Sequence, residues 1–256
     1  IAKKVNLSDI NKDYPPLKSL FFDFDNDGDQ DLYLNTVYCD KLFRNDNGAY
    51  VDITSTSGIA ECSFSMASNV WDFDLDGDLD LVTASYYKPF NIYDPKIKNF
   101  MPQSMIHAKN GGTISVYENK GDGVFEKVQK NMGFNSDRFV FVLSFADFRN
   151  TNSRDLWIGI DFNSDKIFFE ESPKIYKDIS KKMLRTPARH SMNGEIEYID
   201  NGLYPYIHIS QVYLPKINNF SNNEVDKESR ENRLNLIKKI VKEFKPYYQE
   251  LKKIND

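Results

Sequence analysis

Two nearly identical acidic segments constrain this chain more than any other feature of its sequence. The first acidic loop, residues 23–31, reads Asp-Phe-Asp-Asn-Asp-Gly-Asp-Gln-Asp, and the second acidic loop, residues 72–80, reads Asp-Phe-Asp-Leu-Asp-Gly-Asp-Leu-Asp. Each places five carboxylates at alternate positions around one glycine. Five like charges this close together repel one another strongly unless a cation lies among them. The two segments therefore predict two cation sites with the same ligand spacing.

Oxygen ligands at positions 1, 3, 5, 7 and 9, with a glycine at position 6 for a sharp turn, are typical of calcium loops. Magnesium, which prefers to keep several waters, and an acidic turn without an ion are the alternatives. An EF-hand would need a bidentate glutamate at position 12, where this chain has Leu34 and Thr83. The residues after each loop alternate as in a strand, so we expect calcium loops that close β-hairpins.

The acidic loops also mark an internal repeat. After them come similar stretches, Leu-Phe-Arg-Asn-Asp-Asn-Gly at residues 42–48 and Val-Tyr-Glu-Asn-Lys-Gly-Asp-Gly at residues 116–123. Alternating apolar and polar residues interrupted by Gly, Asp and Asn clusters predict strand, turn and strand. We therefore expect each repeat to form four short antiparallel strands.

A weaker copy of the motif forms a third loop, residues 147–155. Asp147 and Asp155 occupy its first and ninth positions, but Arg149 replaces the carboxylate at the third position and Thr151 the one at the fifth. An arginine inside a cation site would repel the ion. We therefore expect the third loop to be free of metal.

The remaining repeat boundaries are less regular. A fourth copy, residues 196–210, keeps Asp200 alone of the acidic set, and residues 5–8 resemble the last strand of a repeat. The second copy is longer than the others because of an insertion at residues 86–112. Long loops of this kind are often functional, so we expect the insertion to contact a partner. Deleting residues 89–109 is then expected to abolish partner capture and leave the thermal midpoint nearly unchanged.

The character of the sequence changes near residue 221, which predicts repeats over residues 1–220 and a helical extension over residues 221–256. Apolar residues there follow the spacing of an amphipathic helix. They are Leu234, Ile237, Val241 and Phe244. This helix either packs on its own domain or docks on another protein.

The acidic loops and the stretches that follow them resemble the FG-GAP/VCBS repeat family, whose members form integrin-alpha-type β-propellers. The segments that begin at Ser65 and Ser191 resemble the cartilage-acidic-protein-like branch of that family. The resemblance covers roughly residues 1–216. With the terminal helix, it implies an all-β fold, a β-propeller or partial propeller of four-stranded antiparallel blades followed by a C-terminal amphipathic helix.

The resemblance also implies how each loop would bind calcium. Side chains supply most ligands, and the backbone carbonyl at position 7 supplies one more. The implied ligands are Asp23, Asp25, Asp27, Asp31 and the carbonyl of Asp29 in the first site, and Asp72, Asp74, Asp76, Asp80 and the carbonyl of Asp78 in the second. Because such a ligand set is full, the two Ca²⁺ ions are expected to be structural.

The number of repeats leaves the closure of the propeller open. Propellers usually have four to eight blades, and this chain supplies three fairly complete units and one partial unit. A closed four-bladed ring is one alternative. A partial propeller would expose strand edges that invite pairing with another chain, so further sequence or a partner would complete the ring.

Composition excludes several functions. The net charge of −5 argues against a nucleic-acid partner, and no apolar run approaches the roughly 20 residues that a membrane span needs. The three histidines form no metal-ligand pair, so we expect no enzyme. We expect instead an extracellular, secreted or periplasmic interaction module or scaffold with protein partners. The alternative is a non-catalytic subunit of an enzyme complex that serves as its scaffold or binds glycans. Cys39 and Cys62 are either two unrelated residues or, in an oxidising compartment, a disulfide.

Overall fold

The structure is a computed structural model, and it describes residues 15–59, 62–88, 101–104, 106–128, 132–134, 137–184, 191–199 and 204–211. The chain divides into two units, Ile1–Tyr213 and Leu214–Asp256, and every described residue belongs to the first. The predicted C-terminal helix, the strand predicted at residues 5–8, and Asp200 lie outside the described residues.

The described residues form three four-stranded antiparallel sheets and one two-stranded sheet. The first sheet contains β1 (Pro16–Phe22), β2 (Asp31–Thr36), β3 (Lys41–Asp46) and β4 (Ala49–Asp52). The second contains β5 (Ser65–Trp71), β6 (Asp80–Ser85), β7 (Ile114–Asn119) and β8 (Phe125–Lys127). The third contains β9 (Phe139–Ala146), β10 (Asp155–Asp161), β11 (Lys166–Ser172) and β12 (Ile175–Asp178). The two-stranded sheet pairs β13 (Ser191–Ile199) with β14 (Tyr204–Gln211), and α1 (Ser180–Met183) is the one helix among the described residues.

Each four-stranded sheet is a simple meander in which the strands pair in sequence order. The prediction of an all-β fold with four antiparallel strands in each of three repeats is therefore confirmed. Each of the three loops joins the first strand of its sheet to the second. The register at this hairpin is the same each time, with Asp31 opposite Phe22, Asp80 opposite Trp71 and Asp155 opposite Ala146.

The second strand of each sheet lies in the centre of the fold. All residues of β2, β6 and β10 are buried. Because successive side chains of a strand point to opposite faces, these three strands are covered on both faces. The fourth strands β4 and β12, by contrast, expose most of their residues wholly or partly, because they form an edge of their sheets.

The sheets pack face to face in sequence order. Phe22 and Tyr33 of the first sheet pack with Leu81 and Tyr117 of the second. A larger cluster joins the second and third sheets, and there the rings of Trp71 and Phe145 lie 4.2 Å apart. The first strands are neighbours, since β1 contacts β5, β5 contacts β9 and β9 contacts β13. Burial of these apolar faces is the main stabilising contribution to the fold.

The insertion between β6 and β7 is partly a core element. The Tyr86 hydroxyl donates a hydrogen bond to Asp161 Oδ2 at 2.7 Å, and Tyr86 is buried. Ala108 is fully buried, and its N–H donates to the carbonyl of Phe162 at 2.9 Å. Deleting residues 89–109 would remove these contacts of Ala108, which argues against an unchanged thermal midpoint. Residues 89–100 lie outside the described residues.

Cys39 and Cys62 form a disulfide. The bridge connects the turn between β2 and β3 to the segment before β5, across a sequence separation of 23 residues. It resolves the two alternatives that the sequence left open. A closed loop of this size stabilises the folded state by roughly 3 kcal/mol through the lost entropy of the unfolded chain.

Two buried aspartates close the turn after the second strand, and the sequence analysis missed both. Asp40 accepts hydrogen bonds from the Tyr33 hydroxyl at 2.6 Å and from the Thr36 N–H at 2.8 Å. Asp165 accepts from Trp157 Nε1 at 3.2 Å and from the Ile160 N–H at 2.9 Å. Burial raises the pKa of Asp40 to about 7 and that of Asp165 to about 6.

We predict that Asp165→Asn removes part of the pH dependence of stability. The folded-state pKa of about 6 lies above the unfolded value of about 3.9. The folded state therefore binds the proton more tightly, and the stability gained from it is lost as pH rises from about 4 to about 6. The gap of about two pKa units corresponds to about 3 kcal/mol.

Urea unfolding with a chelator present, at pH 4 and pH 7.5, measures this effect. The difference in the free energy of unfolding between the two pH values should shrink in Asp165→Asn. It should be unchanged in the control Asp122→Asn, which alters an exposed aspartate. An equal pH dependence in the parent and Asp165→Asn would contradict the prediction.

Candidate metal centres in the acidic loops

All three loops adopt the same backbone conformation. Positions four and six have positive φ in each loop, a conformation that favours glycine or asparagine. These positions are Asn26 and Gly28 (58° and 94°), Leu75 and Gly77 (66° and 99°), and Asn150 and Asn152 (53° and 58°). The third loop, despite its changed sequence, therefore has the conformation of the other two.

A hydrogen bond inside each loop fixes this conformation. The N–H at position six donates to the aspartate at position one. The three bonds are Gly28 to Asp23 at 3.0 Å, Gly77 to Asp72 at 3.2 Å and Asn152 to Asp147 at 2.6 Å. The alignment of Asp147 with the first-position aspartates is thereby confirmed.

The aspartate at position nine connects each loop to the third strand of its sheet. Asp31, Asp80 and Asp155 are all completely buried. One carboxylate oxygen of each accepts a backbone N–H from the third strand. The donors are Asn45 at 2.8 Å, Asn119 at 2.8 Å and Glu170 at 3.0 Å. These hydrogen bonds attach each loop to the third strand of its sheet. The sheet therefore fixes where the carboxylates of the loop lie.

In the first acidic loop, Asp23, Asp25 and Asp27 can each direct one carboxylate oxygen to a common point, with these oxygens within 4.8 Å of one another. The Oδ1 atoms of Asp23, Asp25 and Asp29 are buried, and among the described residues no group donates a hydrogen bond to them. Such oxygens are costly unless a partner compensates for their lost hydration. Asp31 is not part of this group, and its two carboxylate oxygens accept the N–H groups of Phe24 and Asn45.

In the second acidic loop, the corresponding group consists of Asp72, Asp74 and Asp80. The Oδ1 atom of Asp74 is buried, and it too lacks a donor among the described residues. The two other predicted ligands make contacts within and between loops. Asp76 Oδ1 accepts the N–H of Asp78 at 2.9 Å, and Asp78 Oδ1 accepts from Asn26 Nδ2 of the first loop at 2.7 Å.

The electrostatics of both loops disfavour ionised carboxylates in the absence of a cation. Burial, followed by repulsion from Asp27, raises the pKa of Asp25. Burial raises the pKa of Asp31 to about 6 and that of Asp80 to about 7, with further repulsion from neighbouring loop carboxylates. A bound cation would reverse these effects by offsetting the negative charge. The donor-free oxygens and the raised pKa values both fit a cation in each loop.

In the third loop, the guanidinium of Arg149 supplies the positive charge. Arg149 donates to both carboxylate oxygens of Asp155, at 3.1 Å from Nε and 2.8 Å from Nη2, and Nη2 also donates to the carbonyl of Glu170 at 2.7 Å. Its guanidinium lies 4.6 Å from the centroid of the Phe169 ring. Bidentate pairs of this kind are strong and geometrically specific. Arg149 therefore compensates the buried carboxylate that the third loop retains.

A lysine side chain from the neighbouring sheet contacts the second loop, and the sequence did not predict this contact. Lys174, in the turn between β11 and β12, places Nζ 3.2 Å from Asp74 Oδ2 and 3.8 Å from Glu118 Oε1. Although partial burial acts to raise the pKa of Asp74, the Lys174 ammonium beside it holds this pKa below its usual value. No local pattern around residue 174 indicates this contact, because its partners lie far away in the sequence.

The first two loops are also linked through Asn119. Its Nδ2 donates to the carbonyl of Phe24 in the first loop at 2.8 Å and to that of Leu79 in the second at 3.1 Å. Asn45, its counterpart in the first sheet, donates in the same way to the carbonyl of Gln30 at 3.0 Å. The repeated Asn in the third strand was the sequence signal that could have identified this role.

No protein-family model matches the chain, and the comparison with curated proteins finds no match. The case for the two centres therefore rests on the geometry of the loops. In the part of the chain that the structure describes, no helix combines the length and the apolar character needed to cross a membrane.

We predict that Arg149→Met destabilises the protein by about 3 kcal/mol, because it leaves the fully buried Asp155 without its cation. Arg149→Lys should restore part of the loss, since an ammonium keeps the charge but not the bidentate geometry. Urea unfolding in a chelator measures both. Arg138→Met is the matched control, since its guanidinium donates to the carbonyl of Asp137 at the surface. A loss below about 1 kcal/mol for Arg149→Met would refute a role as the cation of the third loop.

Proposed function

We propose that the chain is a calcium-stabilised β-propeller interaction module or scaffold that mediates protein–protein contacts in a larger extracellular or periplasmic assembly. The observation that carries the proposal is the pair of acidic loops. They share one conformation, and buried carboxylate oxygens without a hydrogen-bond donor among the described residues occur in both, three in the first loop and one in the second. All the atoms that could coordinate an ion in these loops are oxygens, which favours a hard cation such as Ca²⁺.

The proposed first site uses Asp23, Asp25, Asp27 and Asp31 with the carbonyl of Asp29. The second uses the counterparts Asp72, Asp74, Asp76 and Asp80 with the carbonyl of Asp78. Calcium, when bound, neutralises the carboxylates and thereby stabilises the turn between the first two strands. Because each loop is fixed to the third strand by its buried ninth-position aspartate, this stabilisation extends to the whole sheet.

The propeller arrangement is supported by the packing of the sheets. Three four-stranded meanders lie face to face in sequence order, with their first strands adjacent. Radial repetition of four-stranded sheets is the architecture of propeller blades. The resemblance of the acidic loops to FG-GAP/VCBS repeats supports the same proposal and the assignment of the chain to that family.

Two observations support a place outside the cytosol. The disulfide between Cys39 and Cys62 is compatible with an oxidising compartment, where such bonds form and persist. Calcium sites of extracellular modules are also weak enough to need the higher calcium concentration found there. Both features fit a secreted or periplasmic protein.

The insertion is the proposed contact surface for a protein partner. Its side chains Met101 and Ile106 are exposed at 63% and 43% although both are large and apolar. Loops held on a rigid scaffold are the usual place for binding residues. The buried Ala108 anchors this segment on the third sheet, so the exposed residues are presented from a fixed base. The C-terminal helix remains a second predicted contact, outside the described residues.

We predict that a calcium chelator lowers the melting temperature by roughly 10–20 °C. Two sites that are each filled at hundredfold excess over Kd contribute about 2.7 kcal/mol apiece, and in a domain of this size each kcal/mol corresponds to roughly 2–4 °C. Asp25→Ala combined with Asp74→Ala should remove most of the difference between calcium and chelator. Differential scanning calorimetry measures these shifts.

The control for this experiment is Glu126→Ala with Glu171→Ala, which removes the same charge from exposed positions outside the loops. It should keep the full calcium response. A parent protein that melts at one temperature in calcium and in chelator would overturn the proposed calcium sites.

We predict that Met101→Asp with Ile106→Asp abolishes recovery of the protein partner without changing the melting temperature, because both side chains are exposed. Affinity purification from the native secreted or envelope fraction, with quantitative mass spectrometry, measures the recovery. The control Val124→Asp with Ile175→Asp alters two other exposed apolar residues and should keep the partner. Equal recovery with both double variants would exclude the insertion as the contact surface, and glycans recovered in place of a protein would favour the glycan-binding alternative.

A further inference from the structure

We propose that Lys174 competes with calcium in the second acidic loop, where its ammonium pairs with Asp74 until the ion displaces it. Lys174 thereby lowers the calcium affinity of the second site and makes ion binding there depend on the neighbouring sheet. This inference rests on the proposed calcium function and adds a residue that regulates one of its two sites.

The position of Lys174 carries the inference. The residue lies in the turn between β11 and β12 of the third sheet, with a positive φ of 65°. Its Nζ reaches across to the second sheet and lies 3.2 Å from Asp74 Oδ2 and 5.1 Å from the centroid of the Phe73 ring. Asp74 belongs to the group whose oxygens converge in the second loop, and its side chain is only 14% exposed. The ammonium therefore contacts the carboxylates that calcium needs.

Two cations on one carboxylate group repel each other, so Lys174 and calcium disfavour each other in the second loop. The lysine side chain is 44% exposed and has four flexible bonds, which allow Nζ to move into solvent. Calcium can therefore displace the ammonium, but its apparent affinity falls by the free energy of the lost contact. Glu118 Oε1, which lies 3.8 Å from Nζ of Lys174, also pairs with Lys120.

The other two loops provide the comparison. In the third loop, Arg149 is bonded to both oxygens of the buried Asp155. In the first loop, Arg44 occupies the strand position of Glu118, but its guanidinium donates to Asp46 at 2.8 Å. A side-chain cation thus pairs with a loop carboxylate in the third and second loops, whereas Arg44 pairs with Asp46, which lies outside the first loop. Lys174 is therefore expected to weaken calcium binding without preventing it.

Displacement of Lys174 would also change the contact between two sheets. The Lys174–Asp74 pair connects the turn between β11 and β12 to the second acidic loop. Calcium binding would break this pair and leave the turn held by its own sheet. Calcium binding at the second site would then alter a contact with the third sheet. Among the described residues, the first site has no counterpart of the Lys174–Asp74 pair.

Calorimetric titration with calcium chloride tests the proposal in an Asp25→Ala background, which disables the first site. Adding Lys174→Met should tighten binding about tenfold, equivalent to about 1.4 kcal/mol. Lys177→Met is the matched control, because Lys177 follows in β12 and pairs with Glu171 at 2.8 Å, away from the loop. It should leave the affinity unchanged.

A second measurement uses the parent protein, so it does not depend on a variant. Lysine acetylation followed by peptide mass spectrometry should modify Lys174 faster in calcium than in chelator, while the rate at Lys177 stays constant. Equal or weaker calcium binding by Lys174→Met, or an unchanged acetylation rate at Lys174, would overturn the inference and leave the calcium function intact. Absence of calcium uptake by the parent protein would overturn both.

Discussion

Compensation of negative charge at the turn between the first two strands is the constraint on which this fold depends. In each four-stranded sheet this turn buries one aspartate, Asp31, Asp80 or Asp155, whose carboxylate accepts a backbone N–H from the third strand. A buried carboxylate is tolerated when hydrogen-bond donors and a cation replace its hydration. The same bonds fix the register of strands that are only six or seven residues long. The stability of each sheet therefore depends on neutralising the carboxylate in this turn.

The three sheets meet this requirement with cations from different sources. Arg149 satisfies the third loop from within, so its sheet is stabilised without an external ion. The first acidic loop leaves three buried carboxylate oxygens without a donor among the described residues, and we propose that calcium compensates them. The second is intermediate, since Lys174 already contacts one of its carboxylates. A repeat can thus keep its backbone conformation while the source of positive charge changes.

The sequence predicted the features that depend on local spacing. The alternating aspartates, the glycine at position six and the strand pattern after each loop correctly indicated four-stranded repeats, while the absence of metal from the third loop stays a prediction. Contacts between distant segments could not be predicted from the sequence. Lys174 meets Asp74 through the packing of two sheets, and Ala108 donates a hydrogen bond to the carbonyl of Phe162, more than 50 residues away in the sequence. Asp165 looks like an ordinary turn residue until Trp157 is seen to donate to it. Such contacts depend on the three-dimensional arrangement and leave no periodic signal.

If calcium neutralises the first two loops and Arg149 neutralises the third, each chain binds two calcium ions. Native mass spectrometry of the purified chain in calcium measures this number directly, because it counts the ions bound to each molecule. We expect two calcium ions per chain in the parent and none in Asp25→Ala with Asp74→Ala. A parent chain with three bound ions, or with none, would refute this assignment of the three loops.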